Sequence, residues 1–373
     1  MRVCLVAGLS RSLLNFRGPL LAALQARGHE VVAIGPMDEG TESVRAELAK
    51  RSLAFESIQL ARGGLNPRQD LASIRQLQQA FERLRPDVVL AYTAKPVIYS
   101  GIAARRVGNI RFFALITGLG YPFMEGGGVK RRMVRVVAEQ LYSRSLPVAE
   151  MVIFQNPDDE QLVRERRLMP ETVPSARVNG SGVDLEAFPP RRLPEAPIFL
   201  MLARLVADKG VHEYVEAARI VRERYPEALF RLAGGLDPNP AGIQQQELQA
   251  WIEAGAIEYL GEVRPVQDAL AQCRFYVLPS YREGTPRSVL EAMATGRPII
   301  TTDAPGCRET VDHGVNGLLI PPRDAGALAD AMIRMIESPD AEVQRMADAS
   351  LTLARKKFDV HKVNQRMLDI MGL

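Results

Sequence analysis

Cysteine is scarce in this chain, and what there is of it does not cluster. Cys4, Cys273 and Cys307 stand far apart in apolar or loop settings, which excludes a disulfide framework and metal-ligand spacing and points to a reduced protein. An excess of one charge is also missing: 47 basic against 44 acidic residues leave a net of +3. No broad field for a polyanion follows, nucleic acid is not an expected partner, and any basic site must be local. No apolar run approaches transmembrane length, and MRVCLVAGLS suits a first strand better than a signal peptide. The expectation is a cytoplasmic protein that meets a membrane only from its surface. Because no G-x-G-x-x-G follows that first strand, a dinucleotide is not indicated, and no cofactor is expected. Low-complexity tracts are absent too, as are repeats beyond a two-fold similarity of the chain's halves.

What is present is a long alternation of strand and helix signals. With 373 residues and 47% hydrophobic content, the chain is long enough for two domains. Arg2–Ala7 reads as a strand, Gly8–Arg17 (GLSRSLLNFR) as a loop, Pro19–Arg27 as a helix and Glu30–Ile34 as the next strand. Strands over 54–59, 87–91, 112–116 and 151–154 alternate with helices over 70–84, 95–107 and 157–166. Each strand is almost continuously apolar, as in a parallel sheet covered on both faces. The Pro-rich stretch Phe188–Pro197 reads as a linker. A second alternation then runs from Ile198 through helices over 211–224, 244–254 and 266–272 and strands over 229–233, 257–260 and 298–301, to helices over 324–337 and 341–357. The fold class expected is α/β, with two Rossmann-like domains.

The stretch VLPSYREGTPRSVLEAMAT, Val277–Thr295, reads as strand, loop and helix. Thr285 suits an N-cap and Pro286 a first helical position, which leaves the amides of Arg287, Ser288 and Val289 as free donors at the positive end of a helix dipole. That is a site for an anion. Glu283 and Glu291 bracket it and match an anion poorly. A ligand carrying both phosphate and hydroxyls reconciles the two: carboxylates accept from sugar and ribose hydroxyls while amides and cations hold phosphate. A nucleotide sugar has that composition, although two acids eight apart are also ordinary on a surface. Arg204 and Lys209, in ARLVADKG at the end of a strand, are placed to converge on one diphosphate, Arg as a fork and Lys as a point charge. Alone, that segment equally fits an exposed charged loop.

Three further stretches carry candidates. Thr117 and Gly118, in TGLG just past a strand's carboxyl end, lie where open sheets place ligands, or else form a plain turn. The segment from Lys130 to Arg144 sets Lys130, Arg131, Arg132, Arg135 and Arg144 beside an apolar stripe at Val129, Met133, Val136, Val137, Leu141 and Tyr142, with a Gly-rich hinge before it. It fits an anionic membrane surface or phosphorylated lipid, each cation contributing about 1 kcal/mol at low salt. The alternative is a core helix with a solvated cationic edge. Asp158-Asp159 reads as a helix cap, and no D-x-D loop is positioned for a divalent ion, so no metal site is expected.

From Glu283 to Glu291 the residues E-G-x-P-x-S-x-L-E, continued through GRPIITTDAPGCRETV, resemble the signature of retaining GT-B glycosyltransferases, particularly glycosyltransferase family four. The resemblance runs across nearly the whole chain and includes bacterial transferases, N-acetylgalactosaminyltransferases among them, that extend undecaprenyl-diphosphate-linked glycans. It implies two Rossmann-like domains facing across a cleft: an acceptor domain over 1–187 with a crossing helix over 359–373, a linker over 188–197, and a nucleotide-sugar domain over 198–358.

The same resemblance assigns roles. Arg204 and Lys209, matching R-x4-K-G, stabilise the departing diphosphate, with Gly284, Thr285, Pro286 and the amides of Arg287, Ser288 and Val289. Glu283 binds the donor sugar and favours its cationic transition state, and Glu291 takes the ribose. Gly261 and Val263, in LGEVRP, face the base, although the motif also fits a simple turn. Gly8, Asn15 and Arg17 line the first domain's rim, Asn15-Phe16-Arg17 for the acceptor's phosphate or sugar. Many members carry a donor-contacting His near TGLG. None stands here, so backbone groups of Thr117–Gly120 would serve.

The activity implied is metal-independent transfer, with retention, of a sugar (HexNAc by subfamily resemblance) from a UDP-sugar to a polyprenyl-diphosphate-linked or polysaccharide acceptor. It would take place at the inner membrane face, with peripheral contact through Lys130–Arg135. A nucleotide-sugar epimerase would turn over donor without acceptor, and a non-catalytic sugar-binding protein would never release UDP.

Overall fold

The structure, a computed structural model, describes residues 1–60, 66–124, 128–237 and 241–373. Residues 125–127, which include most of the expected Gly-rich hinge, and the side chain of Lys130 fall outside the described parts. The chain forms two compact units, Met1–Ser181 with Val363–Leu373, and Gly182–Lys362.

In the first unit the order is β1 (Arg2–Val6), α1 (Ser10–Asn15), α2 (Gly18–Ala26), β2 (Glu30–Pro36), α3 (Thr41–Lys50), β3 (Ala54–Ile58), α4 (Pro67–Leu84), β4 (Val88–Tyr92), α5 (Ala94–Val107), β5 (Arg111–Ile116), α6 (Val129–Ser145), β6 (Met151–Phe154), α7 (Pro157–Glu165) and β7 (Ser175–Arg177). Seven parallel strands pair in the order β3-β2-β1-β4-β5-β6-β7. The central β4, VVLAY, is buried at every position, and the edge strands β3 and β7 are largely not, so the apolar runs sort by depth in the sheet. Helix boundaries follow local chemistry. Asn66 accepts from the amides of Arg68 and Gln69 ahead of Pro67 to start α4, and Asn156 accepts from Asp159 N at 2.8 Å to start α7. The cap of α7 is therefore Asn156, with Asp158 and Asp159 in the first turn.

The second unit runs β8 (Ile198–Leu202), α8 (Val211–Arg224), β9 (Leu229–Ala233), α9 (Gln245–Glu253), β10 (Glu258–Gly261), α10 (Val266–Ala271), β11 (Phe275–Leu278), α11 (Arg287–Ala294), β12 (Ile299–Thr302), β13 (Gly317–Ile320), α12 (Ala325–Glu337), α13 (Asp340–Leu353) and α14 (Val360–Met371), the last passing into the first unit at Val363. Its six parallel strands pair as β10-β9-β8-β11-β12-β13. The α/β architecture of two parallel sheets is the one expected.

Several details differ from the sequence reading. The loop at Gly8–Arg17 contains α1, where the Ser10 amide is tied to Asp38 and the Ser10 hydroxyl to Pro36 O. Helix α3 and strand β13 were hidden, the first by weak amphipathicity and the second by its glycines. The Pro-rich segment 188–197 packs within the second unit. Phe188 lies in its core, and the fully buried Arg297 donates to the carbonyls of Arg191 at 2.7 Å and Cys273 at 2.8 Å.

Candidate functional site

In an open parallel sheet, neighbouring connections leave in opposite directions where the strand order reverses, which opens a crevice at the strands' carboxyl ends. In the second unit that point lies between β8 and β11. The loop after β8 carries Arg204 and Lys209, and the loop after β11 carries Glu283. The topology thus brings Lys209 to Glu283, 74 residues further along the chain.

Glycine lets the two loops meet. Gly210 sits at φ +76°, and a Cβ there would run into the Pro279 carbonyl, so the Lys209 turn lies directly on the end of β11. Tyr281 N donates to Asp208 O at 2.9 Å and the Ser280 hydroxyl to the same oxygen at 3.2 Å. On the far side Glu283 N donates to Pro305 O at 2.8 Å, and Gly306, at φ +81°, has no room for a Cβ beside the Glu283 carbonyl. Held from both flanks, Glu283 forms an ion pair with Lys209, each side chain 16% exposed. The charges are screened from bulk water yet remain reachable by a ligand.

Arg204 takes another partner. Its guanidinium pairs with Asp237 at 2.6 Å, and its side chain is half exposed. Asp237, after β9, gave no signal in the sequence. Tyr281 was also missed: its hydroxyl donates to Glu213 Oε1 at 2.6 Å, and Arg323 lies 4.8 Å from its ring centre. Burial, then the bond to Glu213, raises the Tyr281 phenol well above its ordinary value, so it stays a donor and braces the loop ending at Glu283.

Helix α11 begins at Arg287, one residue later than expected: its capping position is Pro286, and Thr285 stands one residue ahead of the cap. Pro supplies a carbonyl without a side-chain acceptor, and Val289 N donates to Pro286 O at 3.1 Å. The Val289 amide is therefore not a free donor, and Ser288 is hydrogen-bonded to the buried Tyr276 hydroxyl. Gly284 and Pro286 are buried beside them. Glu291 is 8% exposed and accepts from Arg287 Nε at 2.7 Å. Burial raises its carboxyl above the usual range, with Arg287 pulling the other way. Gly261 at φ +68° ends β10, its carbonyl accepting from Gly234 N at 2.8 Å, with Val263 half-buried next to it.

In the first unit the strand order reverses between β1 and β4. Gly8 follows β1, and a Cβ there would fall 2.6 Å from Thr93 Oγ1. Asn15 is exposed, but Arg17 is not a rim residue: it is 2% exposed, with its guanidinium 5.1 Å from the Tyr92 ring centre. The expected triplet therefore divides, because Arg17 caps the buried end of β4 while Asn15 faces solvent. Thr117 and Gly118, the latter at φ +113°, are half-buried past β5. Among the described residues no three His, Cys, Asp or Glu side chains gather as metal ligands.

Helix α6 presents Val129, Met133, Val136 and Val137 to solvent, 77%, 64%, 45% and 36% exposed, with Arg132 exposed and Arg131 and Arg135 half-buried. Tyr142, expected in the same stripe, is buried. Among the described residues no helix is long and apolar enough to cross a membrane.

Comparison with known proteins joins the two halves. Residues 17–178 match the model described as glycosyl transferase 4-like domain, and residues 196–338 the model of glycosyl transferases group 1. The N,N'-diacetylbacillosaminyl-diphospho-undecaprenol alpha-1,3-N-acetylgalactosaminyltransferase of Campylobacter jejuni is 29% identical, covering 99% of this chain and 98% of its own. The UDP-Gal:alpha-D-GlcNAc-diphosphoundecaprenol alpha-1,3-galactosyltransferase of Escherichia coli is 25% identical over 72% of this chain and 71% of its own. Among solved structures, Anabaena HepE in complex with UDP and glucose superposes with a TM-score of 0.79 at 17% identity, covering 100% of this chain and 99% of that one. Sucrose-phosphate synthase from Thermosynechococcus elongatus gives 0.78 at 18%, covering 99% and 98%. With a glycosyltransferase model on each unit and GT-B relatives along its full length, the chain belongs to the GT-B glycosyltransferases of the group 1 and 4-like families.

Proposed function

We propose that this enzyme transfers a sugar, a HexNAc, from a UDP-sugar to a polyprenyl-diphosphate-linked glycan, with retention and without a metal. The observation that carries the reading is the Lys209–Glu283 pair, a cation and a carboxylate held side by side at the β8/β11 crevice. Lys209, with Arg204 beside it in sequence, meets the negative charge that grows on the diphosphate as the anomeric bond breaks. Glu283, freed from Lys209, favours the positive charge at the anomeric carbon and accepts from sugar hydroxyls. The acceptor hydroxyl bonds to that carbon on the face UDP leaves, the bonding pair departs with UDP, and the proton passes to a diphosphate oxygen. Glu291 accepts from the ribose, and Gly261 and Val263 face the base.

The lipid-linked acceptor is supported by two relatives named for transfer to diphospho-undecaprenol glycans. The apolar face of α6 beside Arg131, Arg132 and Arg135 supports peripheral contact with an anionic membrane. Changing those three arginines to Glu should abolish flotation with anionic liposomes, and unaltered flotation would make α6 merely structural.

Turnover tests the chemistry. Lys209→Ala should lower kcat by roughly 10² to 10³, the usual loss for one leaving-group stabiliser, and an unchanged rate would refute its role. Thermal shift across a set of nucleotide sugars should show the largest rise with a UDP-HexNAc. Product NMR should show the donor's anomeric configuration, and turnover should survive chelation of divalent ions.

A further inference from the structure

The first unit has its own switch point, between β1 and β4, and a second cation stands there that the sequence did not mark. Lys95, the second residue of α5, pairs with Asp70 in the first turn of α4 at 3.1 Å, each side chain 16% exposed. Those exposures equal those of Lys209 and Glu283 at the other switch point.

The surroundings are built to hold this ammonium at the crevice. Tyr99, one turn along α5 and 1% exposed, donates its hydroxyl to Asp70. Burial and that bond raise the phenol far above its ordinary value, so it stays protonated. Asp70 therefore has a second partner and does not depend on Lys95. Thr93, directly before α5, has φ +69°, a costly backbone state for a β-branched residue, and it turns the chain off β4 against Gly8. Lys95 and Asp70 both lie in the first turns of their helices, whose positive ends disfavour the bare ammonium and, like it, attract an anion. Arg17, buried at the end of β4, adds a second cation.

We propose that Lys95 is the residue that binds the diphosphate of the lipid-linked acceptor, an inference that rests on the acceptor reading above. A diphosphate carries more charge than one carboxylate and draws the ammonium from Asp70, while Tyr99 keeps Asp70 satisfied. Asp70 is then the resting partner that holds Lys95 in place in the empty enzyme, as Glu283 holds Lys209.

The test uses the full chain and a short-chain prenyl-diphosphate-linked sugar as acceptor. Losing one hydrogen bond to a charged group costs about 1.5 to 3 kcal/mol, so Lys95→Gln should raise acceptor KM roughly 10- to 100-fold with kcat and donor KM little changed. Lys95→Arg should recover most of the affinity. Titrating a short prenyl diphosphate into UDP-saturated protein should show the same loss, and the wild type's preference over the matching monophosphate should disappear in Lys95→Gln. Asp70→Asn, which keeps an acceptor for Tyr99 but removes the competing charge, should lower acceptor KM several-fold. A fall in melting temperature for Lys95→Gln with acceptor KM unchanged would reduce the pair to a brace between α4 and α5. Lipid-linked turnover indifferent to Lys95 overturns only this assignment. Turnover on a polysaccharide without any binding of prenyl diphosphate overturns the acceptor reading itself.

Discussion

The two switch points share a topology and differ in how their walls are made. At β8/β11 the loops approach through glycine: Gly210 lies against Pro279 and Gly306 against Glu283, with main chain on main chain. At β1/β4 the walls are side chains, with Arg17 over Tyr92, the Ser12 hydroxyl 2.7 Å from Tyr92 OH, and Gly8 against Thr93 Oγ1. Backbone approach fixes positions to a fraction of an ångström, whereas a wall of side chains can yield; the proposed function puts the leaving group at the first and the bulkier acceptor at the second. The same strand order thus carries two differently built crevices, and the difference lies in the loops rather than in the fold.

Breaking the glycine wall should have the largest effect. Gly210→Ala puts a Cβ into the Pro279 carbonyl and a non-glycine residue at positive φ, so unfolding in denaturant should show a loss of about 2 to 5 kcal/mol, with turnover collapsing in parallel. Wild-type stability in that variant would mean the close approach is not what sets Lys209 beside Glu283. Next comes the pair itself. Glu283→Gln should cost roughly 10² to 10³ in kcat, like Lys209→Ala, and the double variant should lose little more than either single change because the two act as a unit. Full additivity would separate them. Lys95→Gln should spare kcat, which is the sharpest contrast between the edges.

A smaller effect is expected at Glu291, where Gln should weaken UDP binding about tenfold at neutral pH. Because burial raises the Glu291 carboxyl, the accepting carboxylate is lost on acidification at a higher pH than for an ordinary glutamate. Donor KM should therefore climb early as pH falls in the wild type and stay flat in Glu291→Gln. A wild-type profile no different from the variant's would remove Glu291 from ribose recognition. The smallest change belongs to the side-chain wall. Gly8→Ala puts a Cβ 2.6 Å from Thr93 Oγ1 and 3.3 Å from Pro96 Cγ, so the Thr93 side chain must leave its rotamer at a cost of about 0.5 to 1.5 kcal/mol, and acceptor KM should rise a few-fold with donor KM unchanged. A donor effect instead would show that the first unit's edge does not handle the acceptor alone.

How far the sequence could be read follows from the range of the forces involved. Strands such as VVLAY and FYVL are apolar throughout because helices cover both sheet faces, so the parallel α/β plan was visible in local pattern. The helix over Arg287–Ala294 and the spacing of Glu283 and Glu291 were likewise local, as was the Arg204 and Lys209 segment. Short-range accounting failed where a partner lay far along the chain. Nothing near Arg17 announced that it would be buried on Tyr92, nothing near Arg204 pointed to Asp237, and Lys95 gained meaning only beside Asp70.

The order of apolar and polar residues by itself determined that there would be two parallel sheets and where each turn would carry its charges, because periodicity and turn chemistry act over a few residues. Only the tertiary structure decided which charges face each other. Strand order brings together loops separated by dozens of residues, and an ion pair depends on ångström distances that no spacing along the chain encodes.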